Sequence, residues 1–140
     1  MLPINVLAVL VAAIASFVLG FLFHGPFLGR VWMKLAHIHP TGNEKFSSMV
    51  PQMIWNFVAN LVTAYVLAVI YLFASSSQYV SAVDLWGGVI VAVWLWFGFL
   101  VPSSSIGVIW MKQSAKLWLF EAGCSLVVMI VMGAIIGSWQ

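Results

Sequence analysis

The sequence predicts an all-α membrane protein, with four transmembrane helices arranged as two parallel helical-hairpin repeats. Three observations predict it. Of 140 residues, 64% are hydrophobic and 6% charged, and the mean hydropathy is +1.14. A soluble domain carries about 45–50% apolar and about 25% charged residues. Four apolar segments reach or approach the ~18 residues that a spanning helix needs. Finally, the segment around the first basic loop recurs later in the chain. So little charge also excludes a disordered tail and a nucleic-acid binder, so no nucleic-acid partner is expected. The single cysteine, Cys124, excludes an internal disulfide and any multi-cysteine metal site, and it reads as a small packing residue.

The first span is expected over about Ile4–His24. Lipid leaves no partner for a free backbone N–H, so a segment of this length must be helical. Ala13-Ile14-Ala15 resembles a signal-peptide cleavage site. However, no Lys or Arg precedes it and the apolar run exceeds about 7–15 residues, so a retained span is expected. Ala8, Ala12, Ser16 and Gly20 place a small residue at every fourth position. Gly25-Pro26 then breaks the helix, because proline removes an intrahelical hydrogen bond and clashes with the preceding turn. Phe27–Leu35 follows as a short amphipathic helix at the interface.

The first basic loop holds Arg30, Lys34 and Lys45, with His37, His39 and Glu44. Two histidines at this spacing could contribute to a divalent site. A metal needs three or four ligands with outer support, so a solvated loop is the simpler reading. No metal and no cofactor are expected. The second span, about Val50–Ala74, carries Asn56, Asn60, Ala64 and Ala68 in one register. The third, about Asp84–Val101, carries Trp86, Ile90, Trp94 and Gly98 in the equivalent register. Small residues on the first helix would accept this bulky face. Trp94 and Trp96 lie mid-span and their N–H groups need partners. A second break is expected at Pro102-Ser103, followed by another short interfacial helix over Ser104–Gln113. The fourth span, about Leu117–Ser138, presents Glu121, Ser125, Met129, Gly133 and Gly137.

Gly20-Phe21-Leu22, Gly29 and Trp32-Met33-Lys34 recur as Gly98-Phe99-Leu100, Gly107 and Trp110-Met111-Lys112, all at an offset of 78. The second helices align more weakly at an offset of 65, so the first basic loop is 13 residues longer, around His37–Met49. Two spans per copy give both copies the same orientation, a parallel repeat. Repeat one covers about 1–74 and repeat two about 79–140, within a single integral domain over 1–140.

All five basic residues, with Lys112 and Lys116 completing the set, fall on one side of this topology. The positive-inside rule makes that side cytoplasmic and both termini external. Trp32, Trp55, Trp110 and Trp118 flank the basic loops, and Tyr71, Tyr79, Trp86 and Trp139 fall near the other boundary. Amphipathic rings settle at both interfaces in this way.

Glu121 is the one acidic residue expected inside a span, and an ionisable group there is a functional-site hypothesis. It could instead pair structurally with Lys112 or Lys116, or bond Asn56 and His24. His24, Asn56, Asn60, Ser103, Glu121 and Ser125 should share one depth and line a polar pocket between the repeats. Ser104 and Ser105 lie beside them. The alternative is a hydrogen-bond network that fixes helix register. No nucleophile–base pair, phosphate-binding glycine loop or HExxH motif is visible, so an enzyme is the poorer reading.

The runs Ile4–Ala13, Leu19-Gly20-Phe21-Leu22-Phe23-His24-Gly25-Pro26, Phe97–Pro102 and Met132–Trp139 together resemble a known family. It is the group of small, mostly bacterial membrane proteins catalogued as domain of unknown function seventeen-sixty-one. The likeness spans essentially the whole chain, and the Gly-Pro break is its most specific element. Members commonly carry Tyr at the position of His24, and Asn-Ala-Gly-Tyr-His where this chain reads Glu121-Ala122-Gly123-Cys124-Ser125. The resemblance implies four spans in a bacterial inner membrane and supplies no catalytic residue. A small transporter or channel-like protein is the leading expectation. Four spans enclose little volume, so a homo-oligomer would be needed for a path. The alternative is a non-transporting accessory or assembly subunit with a membrane-protein partner, or a protein that binds membrane lipids.

Overall fold

The computed structural model describes residues 4–39, 46–76 and 84–139. Its helices are α1 (Val6–His24), α2 (Gly29–Leu35), α3 (Phe46–Ser75), α4 (Leu85–Leu95), α5 (Val101–Trp110) and α6 (Ala115–Trp139). A π-helical turn, Trp96–Leu100, joins α4 to α5 without a break. Four stretches are long and apolar enough to cross a membrane: Val6–His24, Met49–Ser75, Leu85–Trp110 and Ala115–Trp139. The four expected spans are therefore present. Asn43 to Lys45 of the basic loop, including Glu44, and Tyr79 lie outside the described residues.

Local chemistry sets the helix ends. The Asn5 side chain accepts from the N–H groups of Leu7 and Ala8 at 3.1 and 3.2 Å, capping α1. Asp84 caps α4 in the same way, accepting from Gly87 N–H at 2.7 Å. Helix α1 stops at Gly25-Pro26 as expected, and α2 follows as a separate short helix. A Cβ on Gly25 would lie 2.6 Å from the Phe21 carbonyl oxygen, so only glycine fits this turn.

The second proline behaves differently. The expected break at Pro102 does not occur, and Ser104–Trp110 continues the third span instead of forming a separate interfacial helix. Val101 N–H bonds the Trp96 carbonyl, five residues back, which widens the turn ahead of Pro102. A wider turn gives the ring the room that a regular α-turn denies it. Nearby, the Ser103 hydroxyl donates to the carbonyls of Phe99 at 2.6 Å and Leu100 at 3.2 Å.

Helix packing also departs from expectation at one point. Helix α1 packs against α3 and α6, and α4 packs against α6 and α3; α1 and α4 do not touch. The small residues Ala8, Ala12 and Ser16 are buried, so that face of α1 is a packing face. Its partners, however, are α3 and α6, rather than the bulky residues of α4. Trp86, Ile90 and Trp94 instead point outward, with Trp94 70% exposed. An apolar ring gains little by leaving lipid for protein, so bulk does not drive it inward.

The inward face of α4 is its small one. Gly88 meets Gly133 and Gly137 of α6 backbone to backbone. A Cβ on Gly133 would lie 2.5 Å from the Gly88 carbonyl oxygen and 2.7 Å from the Ala92 Cβ. One on Gly137 would lie 2.5 Å from the Asp84 carbonyl oxygen. Close approach of this kind gives van der Waals contact, the main attraction available between helices in lipid.

The core lies towards one end of the bundle. Val9, Ala12 and Ala13 of α1 meet Ala64, Leu67, Ala68 and Tyr71 of α3, with Ala92 of α4 and Met129, Met132 and Ile136 of α6. Hydrogen bonds tie the same end: Asn5 Nδ2 donates to the Trp139 carbonyl at 2.7 Å, and the Tyr71 hydroxyl to the Asp84 carbonyl at 3.1 Å. At the opposite end, which carries Arg30, Lys34, Lys112 and Lys116, packing is looser. Among residues 17–39, 49–63 and 93–128, only Gly29 and Cys124 are buried. The bundle is closed at one end and open at the basic end.

Candidate functional site

Between α5 and α6, at the basic end, a cleft of about 340 Å³ is lined by Leu100, Ser103, Ser104, Glu121, Ala122 and Ser125. Three indole and amide donors shape it. Trp96, in the π turn, donates its Nε1–H to Ser125 Oγ at 2.9 Å and to the Ala122 carbonyl at 3.2 Å. Trp118 donates to Ser104 Oγ at 2.9 Å. Gln113 donates its amide to Glu121 Oε2 at 3.1 Å. The mid-span indole of Trp96 thus has the partner its N–H requires, whereas Trp94 lies on the outer face.

The position of Gln113 depends on the turn between α5 and α6. Lys112 adopts a left-handed conformation at φ 56°, which reverses the chain after α5. Gln113 N–H then bonds the Gly107 carbonyl at 3.0 Å. Its side-chain oxygen occupies the space that a Cβ at Gly107 would fill. Glycine at 107 is therefore what lets Gln113 fold back towards Glu121.

Glu121 is half-buried, and its hydrogen-bond partner is neutral Gln113 rather than Lys112 or Lys116. A carboxylate offers about four acceptor positions, so one amide leaves most of them open to water or a ligand. The serine hydroxyls complete the lining. Ser103 and Ser104 donate to carbonyls of their own helix at 2.6 and 3.1 Å, and Ser104 Oγ also accepts from Trp118, so each keeps at least one acceptor lone pair. The arrangement offers acceptors to a small donor-rich solute, since the Glu121 carboxyl and the hydroxyl oxygens of Ser103, Ser104 and Ser125 line it. It contains no nucleophile activated by a neighbouring base.

Of the six residues expected to share a pocket, the cleft brings together Ser103, Glu121 and Ser125. The other three lie elsewhere. His24 is exposed at the end of α1, its Nδ1 3.0 Å from the Gly20 carbonyl and its ring edge-on to Trp32 at 5.3 Å. Asn56 and Asn60 pair with each other on α3, through Asn60 Nδ2 to Asn56 Oδ1 at 2.6 Å and to the Asn56 carbonyl at 2.9 Å. The cleft therefore lies within the second hairpin. Gln113 and Trp118 were missed from the sequence. Trp118 reads there as an interfacial anchor, and Gln113 reaches the carboxylate only through the turn at Lys112. Among the described residues no group of three His, Cys, Asp or Glu side chains could hold a metal ion.

A second, apolar groove of about 320 Å³ opens between α3 and the π turn, lined by Val62, Val66, Leu67, Leu95, Phe99 and Met129 among others. It has no ionisable group.

A family model described as Protein of unknown function (DUF1761) matches residues 7–137, and the chain belongs to that family. No curated protein and no solved structure matches it.

Proposed function

We propose that this family member is a small transporter-like membrane protein that takes a polar or cationic solute into the α5–α6 cleft, with Glu121 as the anchoring group. Glu121 carries this reading: an acid inside a span that faces a cleft with no lysine bonded to it. A structural ion pair would have brought in Lys112 or Lys116. Ionisable groups in spans usually mark solute or ion paths. The positive-inside rule makes the basic end cytoplasmic, so the cleft opens inward and the closed end lies outside with both termini.

In this reading, the two hairpins are parallel copies of one unit. Pairing of α1 with α3 and of α4 with α6 supports it, as does cross-pairing of α1 with α6 and of α3 with α4. The copies have diverged in use, since only the second carries the cleft. The glycine contacts shut the far end, so passage requires either opening of that contact or a path completed between copies of the chain. A homo-oligomer follows as part of the proposal.

Uptake of radiolabelled guanidinium, tetramethylammonium and putrescine into proteoliposomes tests it. At least one should accumulate above protein-free vesicles, and Glu121→Gln should reduce that uptake about tenfold or more while leaving the thermal midpoint within a few degrees. No uptake of any probe, or equal uptake by the variant, contradicts the proposal. The apolar groove beside α3 favours a second reading, an accessory subunit seated against a membrane partner. Stoichiometric co-purification of one such partner, without uptake, would select it.

A further inference from the structure

We infer that the turn after α2 forms a binding site for the phosphate headgroup of an anionic phospholipid. A pocket of about 500 Å³ is lined by Arg30, Met33, Lys34, His37, Ile38 and His39. Arg30 and Lys34 stand one helical turn apart, on one face of α2. Backbone geometry then brings the histidines to the same place. His37 takes a left-handed conformation at φ 55°, and Ile38 N–H closes the helix end on the Met33 carbonyl at 2.9 Å. This six-to-one bond with a left-handed residue is a Schellman ending, which fixes the reversal. Four nitrogen-bearing side chains thus converge over an apolar floor of Met33 and Ile38.

Neither cation is neutralised by a carboxylate among the described residues. Asp84 lies at the opposite end of the bundle, and Glu121 bonds Gln113 in the other cleft. The pocket also lies where headgroups lie. Helix α1 ends at His24, and α2 begins five residues later, so this pocket sits just past the boundary of the first span. Arg30 matches a phosphodiester with a forked pair of donors, and Lys34 adds a point charge. Met33 and Ile38 suit the glycerol and first acyl carbons. A free phosphate would use the cations alone, whereas a lipid uses the apolar floor as well. Basic pockets at the ends of spans recognise anionic headgroups by this combination.

Lipid retention and thermal stability of the purified full chain in detergent distinguish the outcomes. Phosphatidylglycerol should raise the melting temperature and co-purify, while phosphatidylcholine and inorganic phosphate at the same concentration should not. The double variant Arg30→Gln, Lys34→Gln should bind phosphatidylglycerol about tenfold or more weakly. His37→Gln with His39→Gln should weaken it less, and Lys112→Gln with Lys116→Gln should leave it unchanged. Equal stabilisation by inorganic phosphate would overturn the lipid assignment. Equal loss with the Lys112 and Lys116 pair would show diffuse surface attraction and overturn the site. If the first double variant does not fold, unchanged phosphatidylglycerol binding by the histidine pair is the contradicting result.

Discussion

Gly133→Leu is expected to prevent the bundle from assembling. The backbones of α4 and α6 touch where Gly88 meets Gly133 and Gly137, and even one methyl at 133 would lie 2.5 Å from the Gly88 carbonyl oxygen. The obstructing atoms are backbone, so no rotamer change relieves the clash. Overpacking a soluble core costs about 1–3 kcal/mol. Here the helices must separate, and the contacts along the whole α4–α6 face go with them, so an effect at or above the top of that range is expected. Gly20→Ala and Gly123→Ala are the controls, since a Cβ at either position meets nothing within 4 Å. They should leave stability unchanged or raise it by about 0.5–1 kcal/mol, because alanine favours helix more than glycine does. Denaturation in detergent micelles, followed by helical circular dichroism and gel filtration, reads the difference.

Tyr71→Ala should produce the next largest loss. Tyr71 is fully buried in α3, and its hydroxyl reaches across to the Asp84 carbonyl at 3.1 Å. Asp84 also caps α4 and lies against Gly137, so one residue joins three helices at the closed end. Truncating a large buried aromatic costs about 3–5 kcal/mol in a soluble core. In lipid the transfer part of that cost largely disappears, because the separated helices remain in an apolar medium, and the cavity and lost contacts account for about 2 kcal/mol. Tyr71→Phe keeps the packing and should cost only about 1 kcal/mol for the hydrogen bond. A Phe variant as unstable as the Ala variant would show that the hydroxyl, and not the packing, holds this end closed.

The spans were legible in the sequence because lipid leaves a continuous apolar segment only one way to satisfy its backbone. Gly25-Pro26 marked the end of the first helix by chemistry that needs no tertiary knowledge. The packing face of α4 was not read correctly. Trp86, Ile90 and Trp94 have the size that marks a buried stripe in water, but in a membrane the buried stripe is the small one, Gly88 and Ala92. The adjacent Gly87-Gly88 pair was the available signal. Pro102 could not be resolved locally either, since a break and a π turn answer the same missing N–H.

The candidate site was legible in its centre and not in its surroundings. Glu121 stood out because an acid in a span is costly, and Ser103 and Ser125 fell at the right depth. Depth along a helix does not give direction around it, however, so His24, Asn56 and Asn60 shared the depth without sharing the cleft. Gln113 joins through a left-handed turn at a lysine, a conformation for which lysine gives no sequence signal.

Water access to the α5–α6 cleft tests the account most directly. A thiol reacts with maleimide as its thiolate, which forms in water and not in lipid or a dry core. In a Cys124→Ala background, single cysteines replacing Ser103, Ser125 and, as a control at the closed end, Ala68 would be exposed to a membrane-impermeant maleimide from each side of the membrane. The account predicts labelling at 103 and 125 from the side of the basic loops only, protection by a transported solute, and no labelling at 68 from either side. Cysteines at 103 and 125 that stay unlabelled from both sides, or that react from the side of the termini, would contradict it.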